Sequence, residues 1–248
     1  MTDLIVAIHS WRGGTGKSNI TANVASILAA RGLRVCVADA DIKSPGIHTI
    51  FGIGDAEPES TLTDVVFGTA TVASVTMQIQ ENLWLAPASM DVGKIARLHQ
   101  RGYDPKVLNL ALQDLLEELK LDVLLIDTHP GPGTESLLSL AICDLGLVIV
   151  RPDRQDLNGT AIMMTLAEKL EVPELAVIMN RVPDDFNFAQ IRQQVESLYN
   201  LQIIAMLPHD NDLLKLASEE LFCGKFPKHR ITKEFERIAS HIEETLHA

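Results

Sequence analysis

Short apolar runs alternate with stretches of helical periodicity along the chain. Several runs are continuously apolar, which is typical of parallel strands that helices cover on both faces. The clearest helical stretch extends from about Asp104 to Lys120, where apolar residues recur at helical spacing after an Asp-Pro start signal. The pattern predicts strands at Leu4–Ile8, Val35–Ala38, Leu83–Ala86, Val123–Ile126, Leu145–Val150, Leu175–Met179 and Ile203–Met206.

This alternation predicts one doubly wound α/β domain over residues 1–248, with a mostly parallel sheet and helices on both faces. Residues 53–61 combine glycine and proline with acidic and hydroxyl side chains, and we expect a surface loop there. No apolar run reaches the roughly 18 residues that a membrane-spanning helix needs. No secretory signal precedes the first strand, so we expect a cytoplasmic protein.

The composition favours a globular protein, because hydrophobic residues make up 46% of the chain and charged residues 22%. The cysteines, Cys36, Cys143 and Cys223, are far apart along the chain. We expect them to be reduced packing residues rather than a disulfide framework or a metal cluster. The net charge of −12 would repel nucleic acid on average, although it leaves room for a local basic patch.

A phosphate-binding loop is predicted directly after the first strand, where residues 12–18 read Arg-Gly-Gly-Thr-Gly-Lys-Ser. Glycines let successive backbone N–H groups turn towards a polyphosphate. The helix that follows, from about Ser18 to Ala30, adds the positive end of its dipole. In such a loop Lys17 reaches the β- and γ-phosphates, and the Ser18 hydroxyl binds Mg²⁺.

The common form of this loop has a glycine where Trp11 stands. The remainder resembles the deviant loop of the ParA/MinD ATPases, Lys-Gly-Gly-x-Gly-Lys-Ser/Thr, with Arg12 in place of the extra lysine. Further segments resemble that family in the same order, and together they cover nearly the whole chain: Val35–Asp41 as its second strand with Asp-x-Asp, Val123–Gly133 as its switch II strand and loop, Ile178–Val182 as an adenine-contacting strand end, and Leu207–Asp210 as the last such loop.

The resemblance implies a P-loop NTPase fold of the MinD/ParA type, ATP and Mg²⁺ as cofactors, and hydrolysis of ATP to ADP and phosphate with slow basal turnover. It also implies a homodimer that encloses two nucleotides. The phosphate contacts that it implies are Gly13, Gly14, Thr15, Gly16, Lys17, Ser18 and Asn19.

Catalysis and metal binding are assigned by the same resemblance. Asp39 would position or activate the attacking water, with Lys17 and Arg12 as the catalytic cations. The Mg²⁺ contacts would be Ser18, Asp41 and Asp127. An aspartate at a strand end also serves as a helix N-cap or turn former, and that alternative stays open for all three aspartates.

Contacts to the rest of the nucleotide are implied at three further strand ends. Gly131 would offer its amide to the γ-phosphate, and Asn180 would bond the adenine edge. Arg181, Pro208 and Asp210 complete the implied nucleotide contacts. A purely structural role for Asn180 and Asp210 remains an alternative.

Arg12 is the informative departure from the family pattern. The family's extra lysine reaches across the dimer to the partner's phosphates, and arginine keeps the charge on a bulkier, planar group. Arg151 and Arg154, after the fifth predicted strand of the family pattern, are alternative donors of that cation. Surface ion pairing is an equal alternative for these arginines. His129, in switch II, is expected to be an ordinary loop histidine rather than a pH sensor.

The last segment carries an apolar stripe at helical spacing without a basic cluster behind it, which favours packing on the sheet over membrane association. The stripe consists of Ile231, Phe235, Ile238, Ile242 and Leu246. Residues 222–237 form a basic island of net charge +3, which predicts weak, non-specific DNA contacts. Its basic residues are Lys225, Lys228, Arg230, Lys233 and Arg237.

Within the family, the loop looks most like that of the carboxysome-positioning McdA-type ATPases. The chain lacks the carboxyl-terminal Cys-x-x-Cys that Mrp-type iron–sulfur carriers need. We therefore expect a nucleoid-associated ATPase that dimerises with ATP, binds DNA non-specifically, and positions a cargo, with carboxysomes as the candidate, when an adaptor stimulates hydrolysis. The alternatives are a MinD-like membrane-cycling regulator and a nucleotide-switched scaffold with negligible hydrolysis.

Overall fold

The structure is a computed structural model that describes residues 3–53 and 58–248. Its centre is an eight-stranded sheet in the order β3-β4-β2-β5-β1-β6-β7-β8. All neighbouring strands are parallel except β3 and β4, which are antiparallel. The strands are β1 Leu4–Ser10, β2 Val35–Asp39, β3 Met77–Gln80, β4 Leu83–Ala86, β5 Val123–Asp127, β6 Leu145–Val150, β7 Glu174–Val182 and β8 Ile203–Pro208.

Helices cover both faces of the sheet, so the predicted doubly wound α/β fold is confirmed. A short 3₁₀ helix at Val72–Ser74 supplements the α-helices. The α-helices are α1 Lys17–Ala30, α2 Ile47–Ile50, α3 Leu62–Val66, α4 Val92–Arg101, α5 Pro105–Leu119, α6 Thr134–Ala141, α7 Arg154–Lys169, α8 Phe188–Tyr199, α9 Asn211–Lys215, α10 Phe222–Lys225 and α11 Arg230–Leu246.

The buried side chains divide by sheet face. One cluster joins β1, β2 and β5 to α1 and α11, and the clusters on the other face involve α5, α6, α7 and α8. Four residues of the predicted carboxyl-terminal stripe, Ile231, Phe235, Ile238 and Ile242, are completely buried in the first cluster. This confirms the expectation that the stripe packs on the sheet.

Most predicted elements are found within a few residues of their predicted ends. Helix α5 begins after Asp104, whose carboxylate accepts a hydrogen bond from the backbone N–H of Lys106. Strand β3 was not predicted, because Met77–Gln80 is short, polar at alternate positions and only partly buried at the sheet edge. Residues 54–57 of the loop expected at 53–61 lie outside the described residues.

The three cysteines are free and buried, as expected. Burial raises the pKa of the Cys36 and Cys143 thiols to about 12. Among the described residues, no helix combines the length and the apolar character needed to cross a bilayer.

The parallel strands bring their carboxyl ends to one edge of the sheet. The predicted phosphate loop follows β1 there, Asp39 ends β2, and Asp127 ends β5. Asn180 lies near the end of β7, and Pro208 ends β8. In open α/β sheets ligands bind at this edge, so the topology alone gathers the predicted site residues.

Candidate nucleotide site

The phosphate loop turns sharply into helix α1. Gly16 lies at the helix N-cap with φ of 93°, a left-handed conformation that favours glycine. A side chain at this position would also collide with the Asn180 amide. Helix α1 begins directly at Lys17, so its first backbone N–H groups face the loop as they do in anion-binding sites.

Three side chains around the loop meet at one buried carboxylate. The Lys17 ammonium donates to Asp127 Oδ1 at 2.6 Å, and the Ser18 hydroxyl donates to Asp127 Oδ2 at 2.7 Å. The Thr21 hydroxyl lies 3.3 Å from the same Oδ1. Lys17 and Asp127 are both buried, at 7% and 1% exposure. The loop cation and the predicted metal carboxylate thus form a desolvated pair, which stabilises the site only while both partners are present.

A second carboxylate, Asp39, lies beside this pair. Asp39 and Asp127 are partners in the register of β2 and β5, and Asp39 is fully buried. Its oxygens accept hydrogen bonds from the backbone N–H groups of Asp41, at 3.2 Å, and Gly46, at 3.3 Å. Burial, followed by the charge of Asp127, raises the pKa of Asp39 to about 8. A strongly shifted carboxyl next to a phosphate loop is typical of a functional site.

Asp41, expected near Mg²⁺, is tied to switch II. Its Oδ1 lies 2.6 Å from His129 Nδ1, and this hydrogen bond raises the pKa of the histidine. An ion pair lies next to this contact in the sequence, since Lys43 donates to Glu135 of α6 at 2.6 Å. Sequence reasoning did not select Lys43 or Glu135, and it expected His129 to be an ordinary loop residue. The two contacts link residues 88 and 92 positions apart, which no local spacing indicates.

His9 is a further site residue that the sequence analysis did not select. It is fully buried at the end of β1, and its Nδ1 lies 2.8 Å from the Thr128 hydroxyl. That hydroxyl donates to the Ile8 carbonyl, so His9 is the donor to it. Burial and the nearby charge of Lys17 lower the pKa of His9 to about 3. A histidine inside an apolar strand is the one sequence signal that marks it.

The predicted adenine contacts line a cavity of about 240 Å³ beside the loop. The Asn180 amide donates to the Thr15 carbonyl at 2.7 Å, which fixes the side chain between loop and cavity. Arg181 lines both this cavity and the phosphate cleft. The structure therefore brings the predicted base and phosphate residues together. The lining includes Gly16, Asn19, Asn180, Arg181, Pro208 and Asp210.

The phosphate cleft has a volume of about 330 Å³. Its lining includes the loop from Gly13 to Asn19, together with Asp41. Carboxylate and hydroxyl oxygens are ligands that Mg²⁺ prefers, and Ser18, Asp41 and Asp127 offer them. The Thr15 hydroxyl is buried and has no hydrogen-bond partner among the described residues, as expected of a group that awaits a ligand.

Two predicted groups are engaged elsewhere. The Gly131 amide donates to the Ser10 carbonyl at 2.9 Å, so in this conformation it is not offered to a phosphate. The Arg12 guanidinium donates to Gln155 at 2.8 Å and lies 3.6 Å from the buried Asp156 carboxylate. Arg12 therefore turns away from the cleft towards the start of α7.

Arg151 and Arg154, the alternative donors of the cation, also lie around the start of α7. Arg151 binds Asp156 through two nitrogens, at 2.6 and 3.3 Å. Arg154 is the first residue of α7 and makes no ion pair within residues 3–53 and 58–248. Two of the three candidate arginines are thus paired within their own chain.

The basic island is largely neutralised by local acids. Lys225 pairs with Glu220, and Arg237 pairs with Glu234 at 2.8 Å. Arg230 pairs with Asp184 at 2.7 Å and with Asp210 at 3.0 Å. In the part of the chain that the structure describes, only Lys228 and Lys233 of the island lack an ion pair.

A glycine-turned phosphate loop at the carboxyl edge of a parallel sheet, with a buried lysine and strand-end aspartates, defines the class of P-loop NTPases. The ParA family model, described as NUBPL iron-transfer P-loop NTPase, matches residues 2–243. The chain belongs to this family, and its cofactors are ATP and Mg²⁺.

Several characterised proteins resemble the chain along most of its length. MinD, the septum site-determining protein of Thermotoga maritima, is 26% identical and covers 96% of this chain and 87% of its own. An iron–sulfur cluster carrier protein of Haemophilus influenzae is also 26% identical, over 98% of this chain and 66% of its own. These proteins perform different tasks, so the family does not by itself define the task of this chain.

Solved structures show the same fold. The cell division ATPase MinD of Pyrococcus furiosus superimposes with a TM-score of 0.83 at 24% identity, covering 98% of this chain and 99% of its own. MinD of Pyrococcus horikoshii, solved with Mg-ADP, gives 0.83 at 21%, with 98% and 96% covered. Apo McdA of Cyanothece gives 0.77 at 20%, with 99% and 100% covered.

Proposed function

We propose that this chain is a ParA-type ATPase that encloses two ATP molecules in a homodimer and uses hydrolysis to release that dimer from a cellular surface. The single observation that carries the proposal is the buried Lys17–Asp127 pair with the protonatable Asp39 beside it. A nucleotide-switched scaffold would need the lysine but not a second buried carboxyl. The shifted Asp39 favours an enzyme over a scaffold.

ATP supplies the phosphoryl group, and Mg²⁺ would neutralise charge on its phosphates. Lys17 would leave Asp127 for the β- and γ-phosphates, and Ser18, Asp41 and Asp127 would hold the metal ion. Asp39 would orient the attacking water and accept its proton, which requires the ionised carboxylate. A Mg²⁺ ion close to Asp39 would lower the pKa of that carboxyl and favour its ionised form.

A cation from the partner subunit would complete the site. The family resemblance gives this role to Arg12, which would first have to break its contacts with Gln155 and Asp156. Arg154 needs no such release, because it makes no ion pair among the described residues. To identify the donor, each arginine would be replaced by alanine, and each variant would be mixed with a second variant that lacks Asp39. Recovery of ATP hydrolysis in the mixture would show that the arginine acts on the nucleotide of the partner subunit.

The proposed surface is nucleoid DNA, and the proposed location is the cytoplasm. Lys228 and Lys233 support DNA contact because both are exposed and unpaired within the described residues. A dimer would present the two lysines of each subunit together, and this raises the avidity for DNA through effective concentration. The buried stripe of α11 favours DNA over a membrane, since Phe235 and Ile238 pack inside the protein.

The proposed cargo is one that an adaptor protein couples to the ATPase. Carboxysomes are the candidate that the McdA-like loop favours. Iron–sulfur transfer is not proposed, because Cys36, Cys143 and Cys223 are all buried, and no Cys-x-x-Cys occurs in the sequence. A MinD-like membrane cycle remains the second candidate, and sedimentation with anionic vesicles and ATP would reveal it.

The deciding experiment measures hydrolysis and DNA binding on the same proteins. We expect Asp39→Ala to bind ATP with little change, to lose roughly 10²–10⁴-fold in turnover, and to accumulate as a dimer. Unchanged turnover would move the catalytic role to another residue.

Duplex binding should appear with ATP, and the logarithm of the affinity should fall linearly with the logarithm of the salt concentration, with a slope near −0.9 per phosphate contact. An ATP-bound dimer that binds no duplex at about 50 mM salt would exclude the nucleoid proposal.

A further inference from the structure

Asn180 is a buried polar side chain whose amide nitrogen and oxygen both face backbone groups. It lies near the end of β7 and is 3% exposed. Its Nδ2 donates to the Thr15 carbonyl at 2.7 Å, and its Oδ1 accepts the backbone N–H of Arg181 at 2.8 Å. Buried polar groups need such partners, so turning this amide towards a nucleobase would break hydrogen bonds that it already makes.

The same amide lies against the phosphate loop. A Cβ atom on Gly16 would come within 2.4 Å of Asn180 Nδ2, so the two groups are in direct contact. Thr15 and Gly16 share one peptide unit, and Asn180 therefore touches that unit on both sides. The nitrogen of the Asn180 amide is directed at the Thr15–Gly16 peptide of the loop.

This contact determines where the N–H of Gly16 points. In a planar trans peptide the C=O and the N–H point in opposite directions. Because the Thr15 carbonyl faces Asn180, the Gly16 N–H is directed away from Asn180. Within residues 3–53 and 58–248 that N–H donates no hydrogen bond, and Gly16 lines the phosphate cleft. The Gly16 N–H is thus left for a phosphate oxygen, as backbone amides of such loops are.

The loop by itself has little to hold this peptide in one orientation. Gly14 and Gly16 have φ of 75° and 93°, and glycine adopts either sign of φ at little cost. A peptide rotated about its axis would turn the Thr15 carbonyl towards the phosphates, whose negative charge the oxygen repels. A loop that populates both orientations binds more weakly, in proportion to the fraction of molecules in the competent one.

The backbone of Arg181 is held by the other end of the same amide. Its φ is 57°, a left-handed conformation that is uncommon for residues other than glycine. The bond from its N–H to Asn180 Oδ1 stabilises this bend. Arg181 lines both the base cavity and the phosphate cleft, so one side chain, Asn180, joins the end of β7 to the phosphate loop.

We propose that Asn180 is a positioning residue for the phosphates, which holds the Thr15–Gly16 peptide in the orientation that presents the Gly16 N–H to them. The proposal rests on the proposed ATPase function, and it differs from the contact with the adenine edge that the family resemblance implies for Asn180. The residue acts through the loop, so its contribution to binding belongs to the phosphates and is independent of the base.

The two roles differ in how residue 180 couples to the base. A base contact is lost twice over, once when the side chain is removed and once when the base lacks the group that it binds, and the two losses are not additive. A positioning residue shows no such coupling, because the altered base still meets the same loop. The affinity of a ligand without any base should also fall.

The test measures affinities by calorimetry with Mg²⁺ for four ligands: ATP, purine riboside 5′-triphosphate, which lacks the 6-amino group, 7-deaza-ATP, which lacks N7, and tripolyphosphate. Asn180→Leu keeps the size of the side chain and removes its hydrogen bonds. We expect this variant to bind all four ligands about fivefold to tenfold more weakly than wild type. The ratio of the ATP affinity to that of each base analogue should stay within about twofold of the wild-type ratio.

Asn187→Ala is the matched control. Asn187 is exposed and caps α8, where its side chain accepts the backbone N–H of Gln190 at 3.1 Å. Losing a cap lowers the free energy of unfolding without touching the loop. We therefore expect the control to be less stable than wild type in denaturant and to bind each ligand within about twofold of wild type.

A preference for ATP over either analogue that disappears in Asn180→Leu would make Asn180 a base contact and overturn the proposal. Unchanged affinities would overturn it too, and both results would leave the proposed ATPase function intact. Wild-type protein that does not bind ATP would instead contradict that function. If tripolyphosphate binds too weakly to measure, the analogue ratios decide alone. If Asn180→Leu unfolds the protein, as judged by circular dichroism, Asn180→Ser gives the same comparison.

Discussion

The phosphate edge and the carboxyl-terminal basic island both carry charge, but they use it in opposite ways. At the phosphate edge a few charges are buried, and Lys17 is joined to Asp127 at 2.6 Å. In the island the cations are exposed, and Arg230 and Arg237 pair with the exposed Asp184 and the mostly buried Glu234. Removing one buried partner leaves an uncompensated charge, whereas removing an exposed one changes little.

The comparison is tested most severely by Lys17→Ala. The variant should lose ATP binding by a factor of at least 100, because a charge-assisted contact to the phosphates disappears and Asp127 is left without its cation. Isothermal calorimetry measures the affinity. Lys228→Ala, which removes an exposed cation, serves as the control and should bind ATP as wild type does. Near-normal affinity of the Lys17 variant would disprove the phosphate-loop assignment.

Asp39 tests the cost of burying a carboxyl without a cation of its own. Its pKa is raised to about 8, while an unfolded aspartate ionises near 4. The unfolded chain therefore releases this proton first, and the free energy of unfolding should fall as pH rises from about 4 to about 8. Below pH 4 both states are protonated, and the contribution is fully present.

Asp39→Asn, a neutral mimic of the protonated acid, should remove this pH dependence. We expect the variant to be nearly as stable as wild type at pH 4 and increasingly more stable as pH rises, by at most about 5 kcal/mol at pH 7.5, since each pKa unit is worth about 1.4 kcal/mol. Denaturant unfolding at several pH values, without nucleotide, measures the difference. A difference that does not vary with pH would show that Asp39 is already ionised in the folded protein.

Asp39 and Asp127 also show how much of the site the sequence could predict. The strand-end positions of Asp39 and Asp127 follow from apolar runs, and a parallel sheet must bring such ends together. The strand order and the ion pair to Lys17 needed the folded chain. His9 escaped notice because a buried histidine in an apolar strand looks like a core residue. The links from Lys43 to Glu135 and from Asp41 to His129 join distant segments, which spacing cannot show.

Trp11 provides a test of packing next to the phosphate edge. Its ring lies against Gly159 of α7, where any side chain would collide with it. Gly159→Ala should therefore destabilise the protein by about 1–3 kcal/mol through overpacking, although alanine is the better helix former. Thermal unfolding measures the effect. Gly224→Ala, at a site with open space around it, is the control.

A double-mutant cycle separates the collision from helix propensity. In a Trp11→Ala background the same Gly159→Ala substitution should become neutral or stabilising by up to about 1 kcal/mol, because the obstructing ring is gone. Equal destabilisation in both backgrounds would contradict the predicted contact. The sequence shows that Trp11 stands where the common loop has glycine. It gives no indication that Gly159 of α7 is the residue that Trp11 contacts.

The smallest expected effects concern the basic island. Its net charge of +3, counted from the sequence, overstated the positive charge that is free to bind DNA. Arg230 is engaged by Asp184 and Asp210, whereas Lys228 is exposed and unpaired among the described residues. Arg230→Gln should lower the free energy of unfolding by about 1 kcal/mol, because Asp184 is exposed but the mostly buried Asp210 loses its cation. It should also leave the salt slope of any duplex binding almost unchanged, since its charge is already compensated.

Lys228→Gln with Lys233→Gln should lower the same salt slope by about 1–2, because each lysine can release its own counterion on binding a phosphate. Fluorescence anisotropy with a short duplex and ATP, repeated over a salt series, compares the two variants directly. If Arg230→Gln lowers the slope as much as the lysine variant, the ion pairs to Asp184 and Asp210 open when DNA binds. The contrast between local neutralisation in the island and buried pairing at the phosphate edge would then hold only for the free protein.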